Sequence, residues 1–171
     1  MTAEADQELP AMLQHLDRLI GRVIAVAQWL ALPLVLLLFL QWPLRDIVRG
    51  YSREANDFGQ IIFALFVAVS VTAATRAGTH LASDALAQCY SARTRRRLRR
   101  LGAACALLPW AFFILVAGKS FVLSSALGLE AFPDTGNPGY FLIKAALGLM
   151  ALLIIAQAAV EIFAPARVDD V

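Results

Sequence analysis

A chain of 171 residues that is 60% apolar and only 16% charged, with a formal net charge of +2, carries more hydrophobic surface than a soluble domain of its length can bury. Its mean hydropathy of +0.67 reads as an integral membrane protein. Cys89 and Cys105 are the two cysteines, in no CxxC spacing, and neither position favours a disulfide.

The first 22 residues carry Glu4, Asp6, Glu8 and Asp17 ahead of a hydrophobic run too long for a signal-peptide core, so this segment is expected to stay attached. Met12, Leu13, Leu16, Leu19 and Ile20 are read as one apolar helical face, an amphipathic lead-in. Membrane spans follow at about 23–44, 58–75, 101–121 and 139–160, each long enough to cross hydrocarbon about 30 Å thick at about 1.5 Å per residue. The expected fold is therefore all-α, a single membrane domain over residues 1–171 with four transmembrane helices and short interfacial amphipathic helices.

After the first span, Trp42 stands as an interfacial aromatic anchor, and Leu44, Ile47, Val48 and Tyr51 follow a helical period that suits a short helix lying in the interface. Asn56 and Asp57 precede the second span and are expected to cap its first turn. A basic loop over residues 76–100 ends in ARTRRRLRR; Arg93, Arg95, Arg96, Arg97, Arg99 and Arg100 are read as lipid anchors. The third loop, EAFPDTGNPGYF, holds the Pro and Gly residues that favour turns. Lys144, one turn into the fourth span, is expected to snorkel to the headgroups.

Ten Lys and Arg side chains fall on the side shared by the two termini and the 76–100 loop, and five on the other. That asymmetry predicts cytoplasmic termini.

The spans offer little for chemistry. Their polar residues, Gln28, Gln60, Ser70 and Thr72, are suited to hydrogen bonding between helices. A haem bundle needs internal axial histidines, whereas His15 and His80 both fall near an interface. A disulfide-exchanging enzyme needs paired cysteines. A small multidrug exporter needs a carboxylate inside the membrane, but Glu54 and Asp57 lie outside span two and Glu161 ends span four. No catalytic, cofactor-binding or metal site is expected; His80 and Asp84 alone are too few ligands to close a metal site.

What remains is a series at steps of four: Ala64, Ala68, Thr72, Arg76, His80 and Asp84. Small residues at that spacing let helix backbones approach closely, and the polar continuation suits either an interfacial helix or a subunit-docking surface.

The acidic and polar REANDFGQ before span two, an uncharged helix, then RAGTHLASDAL, a basic loop and two further spans together resemble the small, DctQ-like permease subunit of tripartite ATP-independent periplasmic (TRAP) transporters. Where that family often carries paired acids, this chain has Glu54 and Asp57 separated by Ala55 and Asn56. The resemblance implies a subunit without chemistry of its own in a bacterial inner membrane. It would scaffold a large permease that performs sodium-coupled symport of a solute, typically an organic acid, delivered by a periplasmic binding protein. Any sodium would bind the large subunit, with no cofactor in this chain. The competing reading is a self-contained four-helix exporter acting as a dimer.

Overall fold

The computed structural model describes residues 10–47, 53–77 and 90–163. Among them run six α-helices: α1 (Ala11–Gln28), α2 (Ala31–Asp46), α3 (Arg53–Ala77), α4 (Ala92–Gly102), α5 (Leu108–Leu127) and α6 (Tyr140–Phe163), with a π turn at Ala103–Leu107. They make four spans long and apolar enough to cross a membrane, Ala11–Pro43, Arg53–Ala77, Arg93–Leu127 and Tyr140–Phe163.

Two of these spans are composite, and a proline explains each joint. A continuous first helix would need the N–H of residue 33 to bond the Trp29 carbonyl, and Pro33 has none. The Trp29 carbonyl accepts instead from Leu32 N–H at 3.3 Å, while Trp29 and Leu30 bond back three residues to Val26 and Ala27. The chain thus tightens for one turn between α1 and α2. In the third span the Leu108 N–H reaches back five residues to the Ala103 carbonyl. Pro109, next in line, has no N–H to restore the α ladder, a common origin of such a bulge.

The basic segment is not an irregular loop throughout. From Ala92 it is helical, with Ser91 as N-cap: the Thr94 N–H donates to Ser91 Oγ at 3.3 Å. Interrupting nothing but the π turn, this helix runs straight into the third span, so the arginines ride on an extension of that span.

α6 is the centre of the bundle. It packs along α5 and α3, and also meets α1 and the π turn. Its buried side includes Ala146, Ala151, Ile154 and Ala158, and the elements packed on it bury small residues of their own, Ala68 of α3, Ala103 of the π turn and Ala111 of α5. Small side chains bring backbones close, which supplies van der Waals attraction where lipid removes the hydrophobic drive between helices. Near the start of α1, Leu13 and Ile20 form a cluster with Val160, flanked by Leu16, Ile24 and Ala156. The inward stripe of α1 is therefore Leu13, Leu16, Ile20 and Ile24; Met12 and Leu19, expected on the same face, point outward. Their azimuths differ from Leu13 and Ile20 by about 100°, one residue's rotation, which is enough to leave the seam. α2 packs on α3 and leaves Leu32, Val35, Phe39 and Trp42 exposed. The interfacial helix expected through Val48 and Tyr51 lies outside the described residues, although α2 itself extends to Asp46.

Candidate functional site at the two polar ends

Three polar contacts gather the ends of the helices. At one end, the segment between α5 and α6 folds back over the start of α3. α5 closes with Leu129 in a left-handed conformation, φ 44°, and the Glu130 N–H bonding the Ser125 carbonyl at 3.1 Å. The Phe132 N–H then bonds the Asn137 carbonyl and the Gly136 N–H bonds the Phe132 carbonyl, both at 2.8 Å. The turn requires Gly136 at φ 70°. Gly139 is constrained twice: its φ is 120°, and a Cβ there would stand 3.1 Å from Ile61 Cδ1 on α3. Only glycine lets this strand of backbone lie down on the helix.

Asp57 is the anchor for that turn. It is 7% exposed, and its Oδ2 accepts from Thr135 Oγ1 at 2.6 Å and from Asn137 Nδ2 at 3.1 Å. Thr135 Oγ1 in turn accepts from the Asn137 N–H at 3.3 Å. A buried carboxylate is costly unless such donors surround it, so the contact is specific as well as polar. Asp57 therefore does not serve as the helix cap expected from sequence. The described helix already starts at Arg53, and the second-turn position aims the carboxylate sideways at the loop.

Lys144 also departs from expectation. It pairs with Glu130 and lies over the rings of Phe121, at 4.2 Å, and Tyr140, at 5.1 Å. A carboxylate and two aromatic faces within reach hold the ammonium inside the protein better than a stretch to the headgroups would. The Lys144 ammonium holds the Glu130 carboxyl below its ordinary value. Phe132, buried, meets Tyr140 edge-on at 5.4 Å and closes the same corner. A polar cleft of about 550 Å³ opens beside it, lined by Arg53, Asn56, Asp57, Asp134, Thr135 and Tyr140 among others.

At the opposite end, Arg76 reaches from α3 to α1. Its Nη1 stands 2.9 Å from Asp17 Oδ1, its Nη2 donates to Asp17 Oδ2 at 3.0 Å, and Nη1 also donates to the Asp17 backbone carbonyl at 3.2 Å. The forked guanidinium matches the carboxylate two bonds at a time. Both side chains remain about a third exposed, at 29% and 31%.

The series at steps of four is divided by these contacts. Ala68 and Thr72 are buried in the bundle, and Ala64 and Ala68 line a shallow groove shared with Ile143, Ala146 and Met150 of α6. Along this stretch α3 packs beside the chain's own fourth span, with the groove between them open. Arg76 is engaged with Asp17; His80 and Asp84 lie outside the described residues, as does Cys89. Cys105 is a free, exposed thiol. Trp42 is exposed on α2, and Arg93, Arg95, Arg97 and Arg99 are exposed on α4, with Arg96 and Arg100 partly covered. Among the described residues no three His, Cys, Asp or Glu side chains converge as a metal site would require.

Sequence reading missed Asp17, Glu130, Thr135 and Asn137 as partners. Asp17 did leave a signal, for it interrupts the apolar stripe Leu13, Ile20, Ile24 at the spacing of that stripe.

A family model described as tripartite ATP-independent periplasmic transporters, DctQ component, matches residues 34–168, from within α2 past the end of α6. The matched stretch contains Asp57, Arg76, Glu130 and Lys144, while Asp17 precedes it. No curated protein and no solved structure matches the chain.

Proposed function

The chain belongs to the DctQ component family of TRAP transporters, and from that premise we propose that it acts as a non-catalytic scaffold for a large permease subunit. The permease would carry out the sodium-coupled uptake of a solute, an organic acid by the usual chemistry of such systems, delivered by a periplasmic binding protein. The observation that carries the scaffold reading is the use of the polar side chains. Asp57 holds the 130–139 turn, Arg76 holds α1 through Asp17, and Lys144 holds Glu130. These groups are spent on fixing helices to one another, as a rigid support requires, and they leave the apolar flanks of α2 and α5 as the broad faces on offer.

In the proposed orientation the arginine helix and the Asp17–Arg76 end face the cytoplasm of a bacterial inner membrane, and the 130–139 turn faces the periplasm. The basic asymmetry supports this placement. In a background without Cys89 and Cys105, an impermeant thiol reagent applied to intact cells should label Asp134→Cys and miss Tyr90→Cys; both parent side chains are exposed, so access depends on the side of the membrane. The reverse pattern would invert the topology.

His80 and Asp84 belong to the same proposal as the contact with the large permease at the basic end. His80→Gln keeps hydrogen-bonding capacity and should retain the co-isolated permease, whereas His80→Leu should lose most of it. Affinity isolation of the tagged chain from cells that make all three components tests the whole reading: recovery of a large multi-span partner supports it. Isolation of a homodimer alone, from the same membranes, would favour an autonomous exporter.

A further inference from the structure

The arginine helix has a second neighbour besides the solvent. Arg93, Arg96, Arg97 and Arg100 recur at three and four residues and so share one side of α4; Arg93 and Arg97 are exposed. The helix they ride on runs for 35 residues, Arg93–Leu127, about 52 Å at about 1.5 Å per residue, against a hydrocarbon layer of about 30 Å. Roughly 20 Å of it must stand outside the hydrocarbon, which places the arginine turns at headgroup depth.

Beneath them lies an apolar groove of about 740 Å³, lined by Leu108, Pro109, Phe112, Phe113 and Val116, with Ile155 of α6 as its far wall. The π turn aligns the two features. Stepping back from Leu108 along its hydrogen bond to Ala103, then three residues along α4, arrives at Arg100 on nearly the same side of the helix. A basic face thus continues, within about two turns, into an apolar trough open to the bilayer.

The geometry points to a binding site for one anionic phospholipid, its phosphate against the exposed Arg93 and Arg97 and an acyl chain in the Pro109 groove. Charge complementarity fixes the head, because guanidinium forks bond phosphate oxygens two at a time. The groove fixes the tail, and only a molecule that joins both in one covalent body occupies the two together. A free phosphate would leave the groove unused; a zwitterionic lipid would bring its phosphate together with a compensating ammonium, and so no net negative charge, to Arg93 and Arg97.

Trp110 follows Pro109 and is 46% exposed, and the chain has three tryptophans. Trp29→Phe with Trp42→Phe therefore makes Trp110 a reporter beside the groove. The full chain is reconstituted in phosphatidylcholine vesicles containing rising fractions of dibrominated phosphatidylglycerol or, in parallel, dibrominated phosphatidylcholine, and bromine quenching of Trp110 gives the relative association constant. The anionic lipid should be preferred about five- to tenfold. Arg93→Gln with Arg97→Gln should reduce that preference to below about twofold, with Arg93→Lys and Arg97→Lys intermediate. Arg18→Gln with Arg22→Gln removes equal charge from another helix at the same end and should leave the preference intact, as should millimolar glycerophosphate at constant ionic strength. Unaltered helicity by circular dichroism accompanies each variant, and the lysine pair supplies the reading if the glutamine pair unfolds. Equal quenching by the two lipids, an equal loss in the Arg18 and Arg22 variant, or displacement by glycerophosphate would each overturn the site.

Discussion

The two ends of the bundle solve the same problem with different degrees of burial. At the turn end, a carboxylate that is 7% exposed accepts from Thr135 and Asn137, 78 and 80 residues away in sequence. At the basic end, Arg76 and Asp17 join helices 59 residues apart but remain about a third exposed. The first contact loses more if Asp57 is removed, since two donors, Thr135 and Asn137, depend on one buried acceptor. The second is partly screened and acts more as an alignment device than as a source of stability.

That difference ranks the expected effects of substitution. Asp57→Ala should be the most damaging, lowering stability by about 2–3 kcal/mol because a charged acceptor of two hydrogen bonds is deleted from a buried site. Asp57→Asn keeps an acceptor and should cost about half as much. Thermal unfolding of the purified chain in mild detergent reads both, and equal effects would mean that a neutral acceptor at this position supplies none of the turn's hold. Gly139→Ala comes next, at about 1–3 kcal/mol, through backbone strain at φ 120° together with the approach to Ile61. The same unfolding assay measures it, and a neutral result would show that the turn lifts away from α3 without penalty.

The basic end should yield less. A double-mutant cycle with Asp17→Asn and Arg76→Gln is expected to give a coupling of about 0.5–1 kcal/mol at low salt, shrinking as salt rises. A coupling that matched the Asp57 effect would erase the distinction between the ends. The smallest effect belongs to Glu130 and appears only in acid. Its carboxyl is held below the ordinary value of 4.5, chiefly by Lys144. The stabilisation is thus fully present above that value and disappears as pH falls through the depressed folded value. The wild-type protein should lose stability relative to Glu130→Gln only in that acidic window, with no change in their difference across neutral pH. A difference that varied around pH 7 would assign the effect to another group.

Length and hydropathy were enough to read four spans, because each must cross the same thickness of hydrocarbon and hydropathy records little else. The joints within the spans were less legible. Pro33 and Pro109 stand in apolar runs that look uniform to a composition window, yet each removes a backbone donor and thereby fixes where α1 gives way to α2 and where the π turn forms. The turn at 130–139 was legible as a turn, from Pro133, Gly136, Pro138 and Gly139, but its attachment to Asp57 was not. A carboxylate a few residues before an apolar run looks like a cap, and only the position of the helix start decides otherwise. Ala64, Ala68 and Thr72 read as a close-approach stripe; Ala68 and Thr72 are buried within the bundle, and Ala64 and Ala68 border the groove between α3 and α6. Pairings across 59 or 80 residues follow no period, so Arg76 as the partner of Asp17, whose place in the apolar stripe alone was marked, and Asp57 as that of Asn137 emerge only with the helices in place.

The most direct measurement of the scaffold role is solute uptake into proteoliposomes under an imposed sodium gradient. The vesicles would contain this chain alone, the large permease alone, or both, with the binding protein supplied outside. Uptake is expected with both membrane components, absent with this chain alone, and restored to the permease by adding wild-type chain more fully than by adding Asp57→Ala. Sodium-driven or proton-driven flux through vesicles holding only this chain would contradict a scaffold and make the bundle itself a pathway.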